Sequence, residues 1–144
     1  MIFIDANLFI AYANKNDLHH KRALQIFEEI EQEKFGLPLT SDYIFNEVVG
    51  VICRKVSKEE SIRVGNFIKE STLLLNTTKE VMEEAWTMFK ESHSKLSFID
   101  CSIIIFSKIE KVEFIATIDK EFLKISELKI IENLAKSDSP MSPK

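Results

Sequence analysis

The chain has 144 residues, 45% of them hydrophobic and 29% charged, which fits one globular domain with a buried core and excludes a disordered or fibrous chain. Its three glycines, Gly36, Gly50 and Gly65, lie far apart, which excludes the P-loop and the dinucleotide fingerprint, since both need clustered glycines to bring backbone amides against phosphates. A formal net charge of −4 excludes a general basic footprint for nucleic acid, though not a nucleic-acid substrate at a site that loads divalent metal.

Ile2-Phe3-Ile4 is a continuous apolar run ending at Asp5, and it predicts a strand buried on both faces, as in a parallel sheet. A short helix over Leu8–Ala13 comes next. Leu18 to about Glu33 predicts a longer helix, with Ala23, Phe27 and Ile30 at helical spacing and Leu24 and Ile26 widening the stripe; Gly36 and Pro38 end it. Leu37–Thr40 is a short strand. Ser41 or Asp42 then caps a helix to about Lys55, and Ser57-Lys58-Glu59-Glu60 has the capping-box pattern of the next. After a strand at Thr72–Leu75, Thr78 opens a helix in which Met82, Ala85, Trp86 and Phe89 fall at i, i+3, i+4 and i+7, which reads Trp86 as core. Ser97 to about Lys108 is an apolar helix. Phe114–Thr117 is a buried strand, succeeded by a turn or short helix through Leu123 and a last strand at Leu128–Ile131. Short apolar strands alternating with helices predict an α/β sandwich around a parallel sheet, one domain over residues 1–134 with a flexible tail over 135–144. Cys53 and Cys101 read as buried small hydrophobes in a reducing compartment. The opening apolar run is too short for a signal peptide and the stretch around Ile103–Phe106 too short to span a membrane, so a cytoplasmic protein without membrane attachment is expected.

There is no His-Glu-x-x-His, no Gly-x-Ser-x-Gly and no zinc-type spacing among the His and Cys residues, so carboxylates or hydroxyls must carry any chemistry. Four carboxylates do not fit a solvated helix face. Asp5 ends the first strand and Asp119 lies just beyond the strand Phe114–Thr117; the carboxyl ends of parallel strands are where ligands sit, although each Asp is also a natural cap for the helix or turn after it. Asp100 completes a capping box with Ser97 among apolar neighbours, and cap and metal ligand are compatible roles. Glu47 lies mid-helix in Phe45-Asn46-Glu47-Val48-Val49, where a charge needs a metal or an ion pair, for instance with Arg54 or Lys55. Carboxylates that converge repel unless a hard cation neutralises them. Oxygen ligands without His or Cys suit Mg²⁺ or Mn²⁺, and the reaction class this implies is phosphodiester hydrolysis.

Read together, Phe3-Ile4-Asp5-Ala6-Asn7, Glu47 after Thr40-Ser41, Leu96-Ser97-Phe98-Ile99-Asp100-Cys101 and Ala116-Thr117-Ile118-Asp119-Lys120-Glu121-Phe122 resemble, in order and spacing, the motifs of the PIN-domain family, most closely the VapC class of toxin ribonucleases. The resemblance runs from Ile2 to about Ile131. It implies a three-layer fold with a five-stranded parallel sheet flanked by helices, and Mg²⁺- or Mn²⁺-dependent RNA cleavage. It also implies a homodimer and a cognate antitoxin of a type II toxin–antitoxin pair; apolar helix faces beyond what one core needs, notably Ile62, Phe67 and Ile68, suggest the dimer surface. The family's acidic tetrad maps onto Asp5, Glu47, Asp100 and Asp119. Glu121 stands where the family is often acidic but departs from its usual Asp, and Cys101 replaces the usual small Ala. Asn7, Ser97 and Thr117 are candidates for orienting the carboxylates, and Arg54, Lys120 and Lys124 for touching RNA phosphate; His19 and His20 read as structural or exposed. Two other classes stay open. One is a receiver-type phosphoacceptor, which would need an acid ending the middle strand where Leu75 is followed by Asn76; the other is a PIN-like module that binds RNA without cutting it.

Overall fold

The computed structural model describes residues 1–124, with side chains described through Phe122. The expected last strand at Leu128–Ile131, Lys124's side chain and the tail over 135–144 lie outside them. Among the described residues the elements run β1 (Ile2–Ile4), α1 (Ala6–Ala13), α2 (His20–Glu31), β2 (Pro38–Ser41), α3 (Asp42–Lys55), α4 (Lys58–Ser71), β3 (Leu73–Leu75), α5 (Lys79–Glu91), α6 (Phe98–Ile109) and β4 (Phe114–Ala116), then a 3-10 helix over Lys120–Lys124. The α/β alternation read from the sequence is present.

The helix starts are set by side-chain caps. Ser41, Ser57, Thr78 and Ser97 each accept a backbone N–H one turn in, satisfying donors a helix start otherwise leaves orphaned. Ser97 and Asp100 complete the reciprocal box. Ser57 and Glu60 do not, because the Glu60 carboxylate pairs with Arg63 instead.

The strands form one parallel sheet in the order β3-β2-β1-β4, with Ile2 opposite Pro38 on one side and Phe114 on the other. The chain steps outward from β1 to β2 to β3 and then crosses back past β1 to lay down β4. Right-handed crossovers therefore put α1–α4 on one face of the sheet and α5–α6 on the other. The packing agrees: α1 meets α2, α3 and α4, while α5 meets α6. The first layer centres on Phe9, Tyr12, Phe27 and Phe67, with ring centroids 4.6–6.4 Å apart. On the other face Phe3 of β1 stacks on Phe106 of α6 at 5.9 Å. The three residues of β1 are wholly buried, as a strand covered on both faces requires.

Four expectations are corrected. Trp86 is 47% exposed, and is not core. Helix α5 carries two apolar stripes one residue apart: Val81, Ala85 and half-buried Met88 face the protein, and Met82, Trp86 and Phe89 face outward. Phe67 and Ile68 are not a free dimer surface. Ile68 is fully buried and Phe67 packs into the aromatic cluster, leaving Ile62 exposed. The second helix begins at His20, so Leu18 stands in solvent, and Leu24 is also exposed while Ile26 is buried. Cys53 is exposed and only Cys101 is buried, because α3 packs along Ile44, Val48 and Ile52 and Cys53 turns away. Burial, and then the nearby Asp100, push the Cys101 thiol up, which keeps it protonated and unreactive. A thiol reagent is thus expected to label the native protein at Cys53 promptly and to reach Cys101 only on unfolding. Equal rates at both cysteines in native buffer would contradict the packing of α3 and α6.

Candidate active site

Strand order reverses between β1 and β4, and the crevice outside the carboxyl ends at such a switch point is where open parallel sheets hold ligands. Asp5 leaves β1 there. Its backbone N–H donates to Ala116 O across the β1–β4 pair at 3.0 Å. Its Oδ1 accepts from Ala6 N at 2.7 Å, capping α1, and its Oδ2 accepts from the Thr117 hydroxyl at 2.7 Å. The cap reading of Asp5 holds, and the same geometry keeps the carboxylate at the carboxyl edge. Thr117 Oγ1 in turn accepts from Asn7 Nδ2 at 3.1 Å and from Asp119 N at 3.0 Å, and Asn7 Oδ1 accepts from Ile118 N at 3.2 Å. Asn7 and Thr117 so tie the start of α1 to the end of β4 and fix how both aspartates leave the sheet. Asp119 Oδ1 accepts from Glu121 N at 2.9 Å, opening the 3-10 helix.

Asp100 enters from the opposite helical layer. Helix α6 leads into β4, whose start lies at the amino edge, so the first turn of α6 stands at the carboxyl edge. Its Oδ2 accepts from Ser97 N at 2.9 Å while Ser97 Oγ accepts from Asp100 N at 3.1 Å. Glu47 is half-buried on α3 and, among the described residues, makes no ion pair with Arg54 or Lys55. Arg54 is exposed, and its guanidinium folds back along α3: a Cβ built on Gly50 would meet Arg54 NH1 at 3.3 Å. The missing side chain at Gly50 thus leaves room for the Arg54 guanidinium along this stretch of α3. Lys120 is exposed beside Asp119. His19 caps α2 only through its backbone and lines a small cleft with Asn7 and Asp119, while His20 Nδ1 lies 2.8 Å from Ala11 O, a structural placement for His20.

The electrostatics join the carboxylates. Burial raises Asp5 most; the Thr117 bond lowers it, Asp100 raises it, the Ala6 bond lowers it and Glu47 raises it again, leaving it pushed up to about 7. Glu47 is raised by burial and then by Asp100. Asp100 is raised by burial, relieved by its two bonds to Ser97 and raised again by Asp119. Asp5, Glu47 and Asp100 therefore each feel at least one other acid, with Asp100 as the shared neighbour. Among the described residues no Lys or Arg pairs with Asp5, Glu47 or Asp100, and no three His, Cys, Asp or Glu side chains are grouped closely enough to hold a metal ion as they stand. The donors are carboxylates with Asn and Thr behind them, a set suited to a hard oxygen-seeking cation and not to zinc.

Two features escaped the sequence reading. Asp42, read as a cap, also accepts from Thr77 N at 3.0 Å and from the Thr77 hydroxyl at 2.6 Å, pinning the β3–α5 turn to the start of α3. The sign of it was a second threonine beside Thr78 where one suffices to cap α5. The other is the ring cluster beside Asp100, made by Tyr43 of α3, Trp86 and Phe89 of α5 and Phe98 of α6, with neighbouring centroids 5.8–6.3 Å apart.

The sequence model of the PIN domain matches residues 2–128. No curated protein matches the chain in sequence. Among solved structures, the fold is similar to that of Mycobacterium tuberculosis VapC20, described as a sarcin–ricin loop cleaving toxin, with a TM-score of 0.77 at 17% identity over 86% of this chain and 94% of that one.

The buried acids set a pH dependence for stability. Asp5 holds its proton in the folded state at pH values where the unfolded chain has released it, so folding is favoured below the ordinary value of 3.8 and that advantage is lost as pH rises to about 7. Glu47 and Asp100, also raised, act in the same sense. Denaturation in EDTA should therefore show stability falling through this window, with Asp5 alone contributing at most about 1.4 kcal/mol per pH unit. Asp5→Asn should flatten the fall; a wild-type curve that rises with pH across the window would contradict the burial of Asp5.

Proposed function

The chain belongs to the PIN domain family, and from that premise we propose that it is a metal-dependent ribonuclease of the VapC toxin class, with Asp5, Glu47, Asp100 and Asp119 as its working carboxylates. The observation that carries the reading is a buried Asp5 at the switch point, raised first by burial and further by Asp100 and Glu47, with Glu47 and Asp100 raised in the same way, an arrangement that costs stability unless a cation neutralises it. Mg²⁺ or Mn²⁺ held by these four carboxylates would supply the Lewis acidity that activates water and screens the phosphoryl oxygens.

The chain's own residues do the positioning. The single proton of the Thr117 hydroxyl goes to Asp5 Oδ2, so that carboxylate keeps a fixed orientation, and Asn7 holds Thr117 in turn. Ser97 fixes Asp100 through the capping box, so the carboxylate is set by the first turn of α6 and not by a loop. Arg54, folded back over Gly50, and Lys120 beside Asp119 place positive charge on either flank for the phosphates of a bound strand. A second copy of the chain and an antitoxin protein as partners belong to the same reading. The similar fold of VapC20, described as a toxin that cleaves the sarcin–ricin loop, supports it and makes structured RNA loops the first substrates to try.

The test is cleavage of total RNA in Mn²⁺. Wild-type protein should cut, EDTA should stop it and Asp5→Asn should leave only background, with Mn²⁺ raising the melting temperature of wild type more than of the variant. Asp5→Asn protein cutting at the wild-type rate would sink the assignment. Gly50→Ala separates folding from positioning. Replacing a helical glycine should add up to ~1 kcal/mol of stability. The new methyl displaces the Arg54 guanidinium only slightly, so cleavage should fall less than in Arg54→Ala. Unchanged cleavage in both variants would remove Arg54 from substrate contact.

A further inference from the structure

The ring cluster of Tyr43, Trp86, Phe89 and Phe98 has no part in the carboxylate chemistry, and although Phe98 packs against the core, Trp86 and Phe89 are exposed. Tyr43 stands one turn before Glu47 on α3, and Phe98 opens α6 immediately after Ser97, so two of its rings are rooted in the elements that carry two of the carboxylates. Their centroids are 6.0 Å apart. Trp86 meets Phe98 edge-on at 6.0 Å and stacks on Phe89 at 5.8 Å, yet it remains 47% exposed. Tyr43, Met82, Glu83, Trp86 and Phe98 line a cleft of about 290 Å³. Lys90 Nζ lies 6.0 Å from the Trp86 ring centre.

We propose that this cleft is a nucleobase subsite, in which an unpaired base next to the scissile phosphate stacks on Trp86 between Tyr43 and Phe98; the proposal rests on the ribonuclease reading above. Three features favour a base over a protein segment. The lining is aromatic on three sides, and flat rings are what single-stranded RNA stacks on. The cleft holds a compact group and not the side of a helix. Two of its rings also come from the turns that carry carboxylates, Tyr43 one helical turn before Glu47 and Phe98 in the first turn of α6 with Asp100, which roots the cleft in the same elements as the candidate site. The charges set a direction. Glu83 repels phosphate and offers an acceptor to a base's amino group, while Lys90 attracts the backbone, so the base enters over Glu83 with its phosphates towards Lys90.

The chain holds one tryptophan, so its fluorescence reports the cleft alone. Titration of the full chain with short oligoadenylate, in EDTA and again by rapid mixing in Mn²⁺, should quench Trp86 emission, and the same strand with abasic residues should not. Trp86→Ala and Phe98→Ala should each weaken binding, measured by anisotropy of a labelled strand, by about tenfold, the effect of losing one stacked base–aromatic pair. Trp86→Phe should restore most of it. In cleavage the loss should appear in KM, with kcat retained, since the carboxylates are untouched. Absence of quenching in both conditions, or Trp86→Ala binding RNA like wild type, overturns the subsite. So does light scattering in which Trp86→Ala turns a dimer into a monomer while RNA binding is unchanged, since the face would then be a self-contact. Quenching and tenfold-weaker binding in a wild-type protein that cuts no RNA would keep the subsite and overturn the ribonuclease reading instead.

Discussion

Asp5 sits where a carboxylate is least comfortable, at the end of a strand whose residues are all buried, and it is tolerated because each of its oxygens accepts a short hydrogen bond. One comes from the helix it caps and the other from Thr117 across the sheet. Much of the carboxyl edge depends on that placement. Thr117 has one proton to give and gives it to Asp5, which leaves its oxygen to accept from Asn7 and from Asp119 N, and so the two strand-end aspartates are oriented through one hydroxyl. The bonds only partly offset the cost of burial, and the remainder shows as a carboxyl pushed up to about 7.

Topology explains why acids from distant stretches of sequence reach the same place. Crossing back past β1 puts the reversal of strand order between β1 and β4, and it sends α5–α6 to the face opposite α1–α4. Glu47 therefore arrives from one layer and Asp100 from the other, with the strand-end acids between them. Asp100 also has the firmest local anchor, since the capping box that starts α6 holds its carboxylate whether or not a ligand is present. Asp42 adds a brace of the same kind by holding the β3–α5 turn against the start of α3.

The parts legible in the sequence were those whose signal is local. Caps at Ser41, Ser57, Thr78 and Ser97 announced helix starts to within a residue or so, and the run Ile2-Phe3-Ile4 announced a strand buried on both sides. The misread positions depended on how a helix is rotated against its neighbours. On α5, Val81-Ala85-Met88 and Met82-Trp86-Phe89 have similar helical spacing and are offset by one residue, about 100° around the axis, so periodicity cannot choose which stripe faces inward. Phe67 looked spare because the rings it packs among, Phe9, Tyr12 and Phe27, come from α1 and α2, far earlier in the chain, and only the fold brings them to α4. Of the candidate site, the strand-end acids were readable, while their coupling through Asp100 needed the fold.

The neighbouring characters of the two sites answer a problem set by charge. A protein of net charge −4 with acids gathered at one edge repels a polyanion at the place where the proposed chemistry needs it. A divalent ion removes that repulsion only at the phosphate in contact with it, and flanking phosphates still meet a negative surface. Stacking is indifferent to that field, because every base offers a neutral face and the attraction comes from contact and desolvation. Rings at Tyr43, Trp86 and Phe98 can therefore hold a strand next to the carboxylates without the basic surface that the composition lacks. On the proposed reading Arg54 and Lys120 would then have only to steer the strand locally, and both are exposed cations.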